Sequence, residues 1–396
     1  MVIDRSSSRQ AFEPATLGPL TLKNRLIKSA TFEGRMRRGE VSADLIEFHR
    51  RVAAGGVGLS TVAYCSVSMN GRVSNDCLVF SDDLVPDLRR LTDTVHGEGA
   101  AIAAQIGHAG LVAQDQSRRH PSTAPSTRLS PAAKGLVRGA SPALLDEIVE
   151  QFASAARVAA ESGFDAIELH LGHNYLLSSF LSPNLNKRRD EYGGSIENRL
   201  RFPRRVIAAV RDATPRSMAL WAKFNMSDGV DNGLWLDESI PMAQALESDG
   251  HLDALELTGG SSLFNGMYFF RGDVPLREFA AAQTRLVGLG VRLVGRRILP
   301  EYPFEETFFL EFSRQFRAAL DMPLIYVGGV NTLSSIETLL QDEGFEFVAM
   351  ARALLRDPDL PNKLADHRAS AGLCVHCNKC MATIYSGTRC VLPDVS

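Results

Sequence analysis

FDAIELHL (164–171) is a short run rich in Ile, Leu and Ala that follows a long amphipathic stretch. A run of this kind reads as a parallel strand covered on both faces. The stretch before it opens at Ser141-Pro142, with Pro at the first helical position. It carries Leu145, Ile148, Val149, Phe152, Ala155 and Ala156 on one stripe and stops at Gly163, a natural C-terminal glycine. Seven further apolar runs resemble 164–171. They are RLIKSAT (25–31), GLSTVAY (58–64), AIAAQIGH (101–108), MALWAKFN (218–225), LDALELTGG (252–260), PLIYVGG (323–329) and FEFVAMAR (345–352), with helical patterns between them. Strict alternation of strand and helix implies a parallel sheet. Eight such units predict an α/β fold closed into a (β/α)8 barrel. An open doubly wound sheet would carry a glycine-rich dinucleotide fingerprint after its first strand, and none follows Thr31.

The spacing is uneven. Residues 109–140 and 261–322 are long insertions after the third and sixth strands, where barrel enzymes build their sites. Within the second, FRGDVPLREFAA (270–281) reads as a turn and a helix. With 45% hydrophobic and 22% charged residues in 396, the composition is that of an ordinary soluble globule. It excludes a disordered chain, a collagen-like fibre and a coiled-coil rod. Lys+Arg 43 against Asp+Glu 46 leaves a net charge of -3, so no basic excess favours nucleic acid. No apolar run approaches the roughly 20 residues of a membrane span. The N-terminal MVIDRSSSRQAFEPATLG has no apolar core of a signal peptide, which points to a cytoplasmic protein.

At the end of the fourth strand stand His170, His173 and Tyr175. Two neighbouring imidazoles can donate hydrogen bonds to one carbonyl oxygen and stabilise charge developing there. A nearby phenol can deliver a proton. Taken alone, H-x-x-H fits a pair of buried, internally satisfied histidines equally well. Gly328 and Gly329, after strand seven, would let backbone N–H groups approach a phosphate. Ala351 and Arg352, after strand eight, add a helix start and a guanidinium. The bland alternative is a tight turn and an exposed arginine. Lys223 inside a strand asks for a buried partner, and Glu168 or Glu256 could supply it.

HLGHNYLLSSFLSPNLNKRRDEYGGSIENRLRF, from His170 to Phe202, resembles the signature of the Old Yellow Enzyme family of FMN-dependent ene-reductases. Supporting matches run from KNRLIKSAT to MARALLRDP, so the likeness spans about residues 12–366. It implies a TIM barrel (1–366) with a short C-terminal cysteine-rich extension (367–396). It implies FMN, with NAD(P)H as hydride donor, and a ping-pong reduction of the activated C=C bond of an α,β-unsaturated carbonyl compound. His170 and His173 would then bind the carbonyl and Tyr175 would protonate the carbon opposite the hydride. Gln105 would meet the flavin pyrimidine edge, and Lys223 the N1 and O2 region. Ser29, Ala30, Thr31 and Tyr64 would lie along the ring, and Gly328, Gly329, Ala351 and Arg352 at the phosphate. The chain departs from the best-known members at Ala30 (usually Pro), Phe32 (usually Thr or Cys) and Tyr64 (usually small). Phe32 cannot hydrogen-bond the flavin, which puts redox potential and pocket shape in question.

Cys374, Cys377, Cys380 and Cys390 lie close together in C-x2-C-x2-C order with a fourth after nine intervening residues. Four soft thiolates suit a [4Fe–4S] cluster or tetrahedral Zn²⁺. Vacant thiols rank between those two. The segment resembles the cluster region of the dienoyl-CoA reductase and trimethylamine dehydrogenase group. That likeness motivates a second function, an iron–sulfur dehydrogenase or demethylase exchanging electrons with a carrier protein. Family members often form homo-oligomers. Cys65 and Cys77 read as small hydrophobes, His108 as a loop contact and His376 as a spare ligand. Trp221, Phe269 and Phe270 fit either core or pocket. A flavin-free aldolase or isomerase, which lack of colour would reveal, and a non-catalytic metal module are the remaining classes.

Overall fold

The computed structural model describes residues 7–114, 119–282, 295 and 299–393. Residues 115–118, 283–294 and 296–298 of the two insertions lie outside that set. Eight strands form the barrel: β1 (Leu26–Lys28), β2 (Leu59–Ser66), β3 (Ala101–Gly107), β4 (Ala166–Leu171), β5 (Ala219–Asn225), β6 (Ala254–Thr258), β7 (Leu324–Val327) and β8 (Phe347–Met350). Each pairs in parallel with its neighbours, and pairing of β8 with β1 and of β1 with β2 closes the ring. All eight predicted strands are present, seven trimmed by a few residues at their ends and β2 running two residues further, to Ser66.

Helices α1 (Ala43–Ala54), α2 (Val85–Gly97), α3 (Pro142–Glu161), α4 (Ile196–Ala213), α5 (Leu236–Asp249), α6 (Leu310–Ala319), α7 (Leu333–Glu337) and α8 (Leu360–Ala365) follow the strands in turn. The predicted boundaries of α3 hold in detail. The Ser141 hydroxyl accepts from the Leu144 N–H at 3.2 Å, and Gly163 takes φ 84°. The helices cover the outward side chains of the strands, among them Ile167, Leu169, Leu171, Leu220, Phe224, Leu255 and Leu257.

Because side chains alternate along a strand, the inward positions form layers. Ala103, Ala166, Ala219, Trp221, Ala254 and Phe347 make an apolar floor, plugged by a hairpin of Ala15–Leu17 and Leu20–Leu22. Two residues higher, the register sets Gln105 beside Glu168 and Lys223 beside Glu256. Higher still come His170, Asn225 and Thr258, at the C-terminal ends of the strands. The floor is apolar, the middle layer charged, and the top layer carries hydrogen-bonding groups.

The insertion after β3 folds as a three-stranded sheet (Thr123–Ala124, Arg128–Ser130, Gly135–Gly139). In the insertion after β6 the predicted helix spans Leu276–Ala281. The C-terminal segment lies against the mouth of the barrel, where Asn378 donates to Asp273 O at 3.1 Å and Thr388 N–H to Glu33 O at 2.7 Å. Among the described residues no helix is long and apolar enough to cross a membrane.

Candidate active site

A cleft with about 300 Å³ of free space opens at the C-terminal end of the barrel. Ser29, Ala30, Thr31, Tyr64, Gln105, His170, His173, Tyr175, Lys223, Gly328, Ala351 and Arg352 all line it. Gly329 does not reach its wall. Phe32, Phe269 and Phe270 do. Trp221 belongs to the core, fully buried, its indole N–H donating to Glu168 at 3.1 Å.

His170, Tyr175 and His173 form one cluster. The Tyr175 ring stacks on the His170 ring at 4.2 Å and 16°. The His173 ring stands 5.3 Å from His170 at 84° and 4.5 Å from Phe269. Nδ1 of His170 accepts the Gly172 N–H at 3.2 Å, so a neutral ring carries its proton on Nε2, free to donate. Burial, with the neighbouring His173 and Lys223 charges, holds the His170 imidazolium far below its ordinary range. Burial and Lys223 bring His173 down to about 3. Both rings are therefore neutral donors at physiological pH. Burial pushes the Tyr175 phenol up, so it keeps its proton.

The loop bearing the second imidazole is held from below. His173 and Asn174 both adopt left-handed backbone, at φ 58° and 59°, which costs non-glycine residues energy. The Asn225 side-chain oxygen accepts the His173 N–H at 3.1 Å. Asn225 in turn donates to Asp228 at 2.9 Å, and Asn174 donates to the same carboxylate oxygen at 3.0 Å. The other Asp228 oxygen accepts from Ser182 at 2.6 Å and from the Leu234 N–H at 2.9 Å. No sequence motif announces this hub. Only its position just beyond a strand end, after Asn225, could have drawn notice.

The charged layer lies directly beneath. Lys223 pairs with Glu256 and sits 3.3 Å from Glu168, so both of the expected partners take part. Ser29 donates to Glu256 at 2.7 Å, and Gln105 donates to Glu168. Burial alone would lower the Lys223 ammonium, but the two carboxylates more than reverse it. Burial raises Glu168 to about 8, and repulsion from Glu256 adds to it. Glu256 is held below its ordinary value because Lys223 and its hydrogen bonds outweigh its burial. One cation between two buried carboxyls thus favours the charge on Glu256 over Glu168.

The phosphate-sized end of the cleft is built from backbone. The N–H groups of Gly328, Ala351 and Arg352 on the wall, and of Gly329 just outside it, have no acceptor among the described residues. Gly328 needs to be glycine, since its φ is 138° and a Cβ would lie 2.8 Å from the Phe309 ring. Arg352 is half-buried and donates to Arg271 O at 2.8 Å and to Asn378. Unfilled N–H groups with a guanidinium fit a phosphate, and Gln105 and Lys223 offer donors for a polar ring edge. These residues fit FMN.

The four C-terminal cysteines share a second, small cavity with Arg352 and Arg356. Yet among the described residues no three His, Cys, Asp or Glu side chains are arranged to hold a metal ion. The four thiols expected as ligands, Cys374, Cys377, Cys380 and Cys390, nonetheless face this one space, with Cys380 close enough to the other three to feel their charge. His376, read as a spare ligand, packs against an aromatic ring: it stacks flat on Phe304, the rings 3.3 Å apart. His108 is a loop contact, its Nδ1 accepting the Gly110 N–H at 3.1 Å. Cys65 and Cys77 are buried, and burial raises both thiols, Cys77 to about 11.

The chain is 66% identical over 383 residues to a 4,4'-dithiodibutanoate disulfide reductase of Rhodococcus erythropolis, covering 97% of this chain and 95% of that one. It is 31% identical over 364 residues to an NADPH dehydrogenase of Geobacillus sp., covering 88% and 92%. Among solved structures, morphinone reductase superposes with a TM-score of 0.70 at 24% identity, covering 96% and 94%. A 2-naphthoyl-CoA reductase superposes at 0.81 and 21% identity, and this chain spans 56% of its length. Residues 10–256 match the family described as NADH:flavin oxidoreductase / NADH oxidase. The chain belongs to this family and is an NAD(P)H-dependent FMN oxidoreductase on a TIM barrel.

Proposed function

We propose that the cleft reduces the activated C=C bond of an α,β-unsaturated carbonyl compound held by His170 and His173, with Tyr175 as proton donor. The observation that carries this reading is the stacked His170–Tyr175 pair beside His173, above a charged layer and next to a phosphate cradle. FMN, when bound, supplies the hydride taken from NAD(P)H. Gln105 and Lys223 would hold its pyrimidine edge, and Ser29, Ala30, Thr31 and Tyr64 its ring. Gly328, Gly329, Ala351 and Arg352 would hold its phosphate.

The residues divide the remaining work. His170 donates from Nε2 to the carbonyl oxygen. The Thr258 hydroxyl, 3.0 Å from His173 Nε2, can donate to that nitrogen and leave Nδ1–H as the second donor. Two neutral donors polarise the C=C bond and stabilise the developing enolate without giving up a proton. Tyr175, kept protonated, supplies the proton to carbon. The aromatic walls of Tyr64 and Phe269 exclude water from the reacting atoms.

A second reading takes an organic disulfide as acceptor, and the relative at 66% identity favours it. One sulfur takes the hydride, the S–S bond breaks, and the departing thiolate takes a proton from Tyr175. The test is anaerobic. Enzyme reduced with NADPH is mixed with cyclohex-2-enone or with 4,4'-dithiodibutanoate, and flavin reoxidation is followed. Reoxidation by the enone supports the first reading, and by the disulfide alone the second. Tyr175→Phe should slow enone reoxidation about 100-fold while flavin reduction persists. Paired His170→Ala and His173→Ala substitutions should abolish phenol binding with FMN retained. Unchanged reoxidation in Tyr175→Phe would remove the proton-donor role.

A further inference from the structure

We infer that Tyr385, on the C-terminal segment, is a specificity-determining bar across the cleft that favours slim, unbranched acceptors over aryl-bearing ones. The inference rests on the cleft being the acceptor site proposed above. Cys380, Met381, Ile384, Tyr385 and Thr388 all line the same cleft as His170 and Tyr175, so the extension is part of its wall. These residues belong to a helical turn, Lys379–Ser386, and the stretch directly after it.

Tyr385 ties together two loops that start from different strands. Its ring packs against Phe32, after β1, at 5.8 Å and 56°. Its hydroxyl accepts a hydrogen bond from Gln114 Nε2, after β3. Tyr175 and Tyr385 line the same cleft, and the Tyr175 phenol lies close enough to Tyr385 to feel its charge. The bar is therefore beside the group assigned to deliver the proton.

The segment carrying Tyr385 is latched to the loop after β1. Thr388 donates its hydroxyl to Phe32 O and its N–H to Glu33 O, the latter at 2.7 Å. Arg35 donates to Thr388 O at 3.0 Å. Gly34 has φ 60°, and a Cβ there would fall 2.1 Å from Ile384 O, so the close approach of the two segments depends on glycine. A ring fixed at both ends and carried on a latched segment cannot swing aside without breaking these bonds. It takes up the space an acceptor's bulky substituent would need.

The test uses the FMN-loaded full chain with paired acceptors: hex-2-enal against cinnamaldehyde, and 4,4'-dithiodibutanoate against 2,2'-dithiodibenzoate. Tyr385→Ala should raise the aryl-to-linear ratio of kcat/KM about tenfold, the scale set by one or two carbon groups of pocket contact. Tyr385→Phe keeps the ring and loses only the bond to Gln114, so it should change the ratio less. An equal change for both partners of a pair, or equal ratios in the two variants, would overturn the inference. Should Tyr385→Ala fail to retain FMN, Gln114→Leu frees the ring instead. It should move the ratio in the same direction, and an unmoved ratio there is equally fatal. A wild type inert toward every acceptor would overturn the acceptor-site reading and the bar together. Turnover with an unaltered ratio would overturn the bar alone.

Discussion

Replacing Asp228 by Asn tests how the second imidazole is kept in place. The carboxylate accepts four hydrogen bonds, from Asn174, Asn225, Ser182 and the Leu234 N–H, at 2.6 to 3.0 Å. An asparagine amide can serve one pair of these donors but turns an NH2 group toward the other pair. Two bonds to a charged acceptor are lost, each worth about 1.5–3 kcal/mol, and the relief of no longer burying a charge offsets part of this. A net loss of about 2–4 kcal/mol is expected. The effect on binding follows from the backbone. His173 and Asn174 sit at φ 58° and 59°, and the His173 N–H is held only through Asn225, which Asp228 orients. Left-handed backbone costs about 1–2 kcal/mol per residue, so an unbraced loop should leave this geometry most of the time. Affinity for a para-substituted phenol should then fall about tenfold, in proportion to the lost population. Urea unfolding with saturating FMN reads the first quantity, and titration of the flavin spectrum with the phenol reads the second. Stability within about 0.5 kcal/mol of wild type would refute the hub. Lost stability with unchanged phenol affinity would show that Thr258 alone positions His173.

Lys223→Met strands the Glu256 carboxylate in the barrel and should cost about 3–5 kcal/mol at neutral pH. Unpaired, Glu256 rises above its ordinary value, so the deficit should shrink as pH falls, and urea unfolding at several pH values would detect a deficit that does not. His170 and His173 are depressed below their unfolded value. The stability they contribute is complete above about pH 6.5 and is lost as pH falls through the gap between the unfolded and folded values, which for His173 runs down to about 3. Paired His170→Ala and His173→Ala substitutions should therefore flatten the acid limb of a stability profile. Arg352→Met should weaken FMN retention on gel filtration at high salt, and full flavin content after that step would reject its place at the phosphate.

Much of the site was legible because its residues lie at strand ends. The strands carried their own pattern, and H-x-x-H-x-Y followed directly from the fourth. A barrel puts such positions at one face whatever its loops do, so residues from Ser29 to Arg352 met in one cleft. Lys223 was recognisable as anomalous for the same reason, since an ammonium inside an apolar strand must be paired. Its sharing between Glu168 and Glu256 was not legible. Register across three strands decides that, and register is set by closure of the whole ring. Gly329, adjacent in sequence to Gly328, fell outside the cleft wall because two successive backbone positions need not face the same way.

The C-terminal segment marks where local reading stops. Four cysteines at metal-like spacing suggested one cluster, but spacing limits only which thiols can meet, and it is the fold that directs all four to one cavity. Tyr385, by contrast, carries no motif, and its contacts lie 353 residues away at Phe32 and 271 at Gln114. The order of residues alone determined the eight-stranded closure, the histidine pair and the glycine of the cleft wall, because periodicity and turn chemistry act over a few neighbours. Tertiary structure decided the ionisation of the charged layer, the Asp228 brace and the aromatic bar. Each depends on distant segments being brought within a few ångströms, which only the closed barrel does.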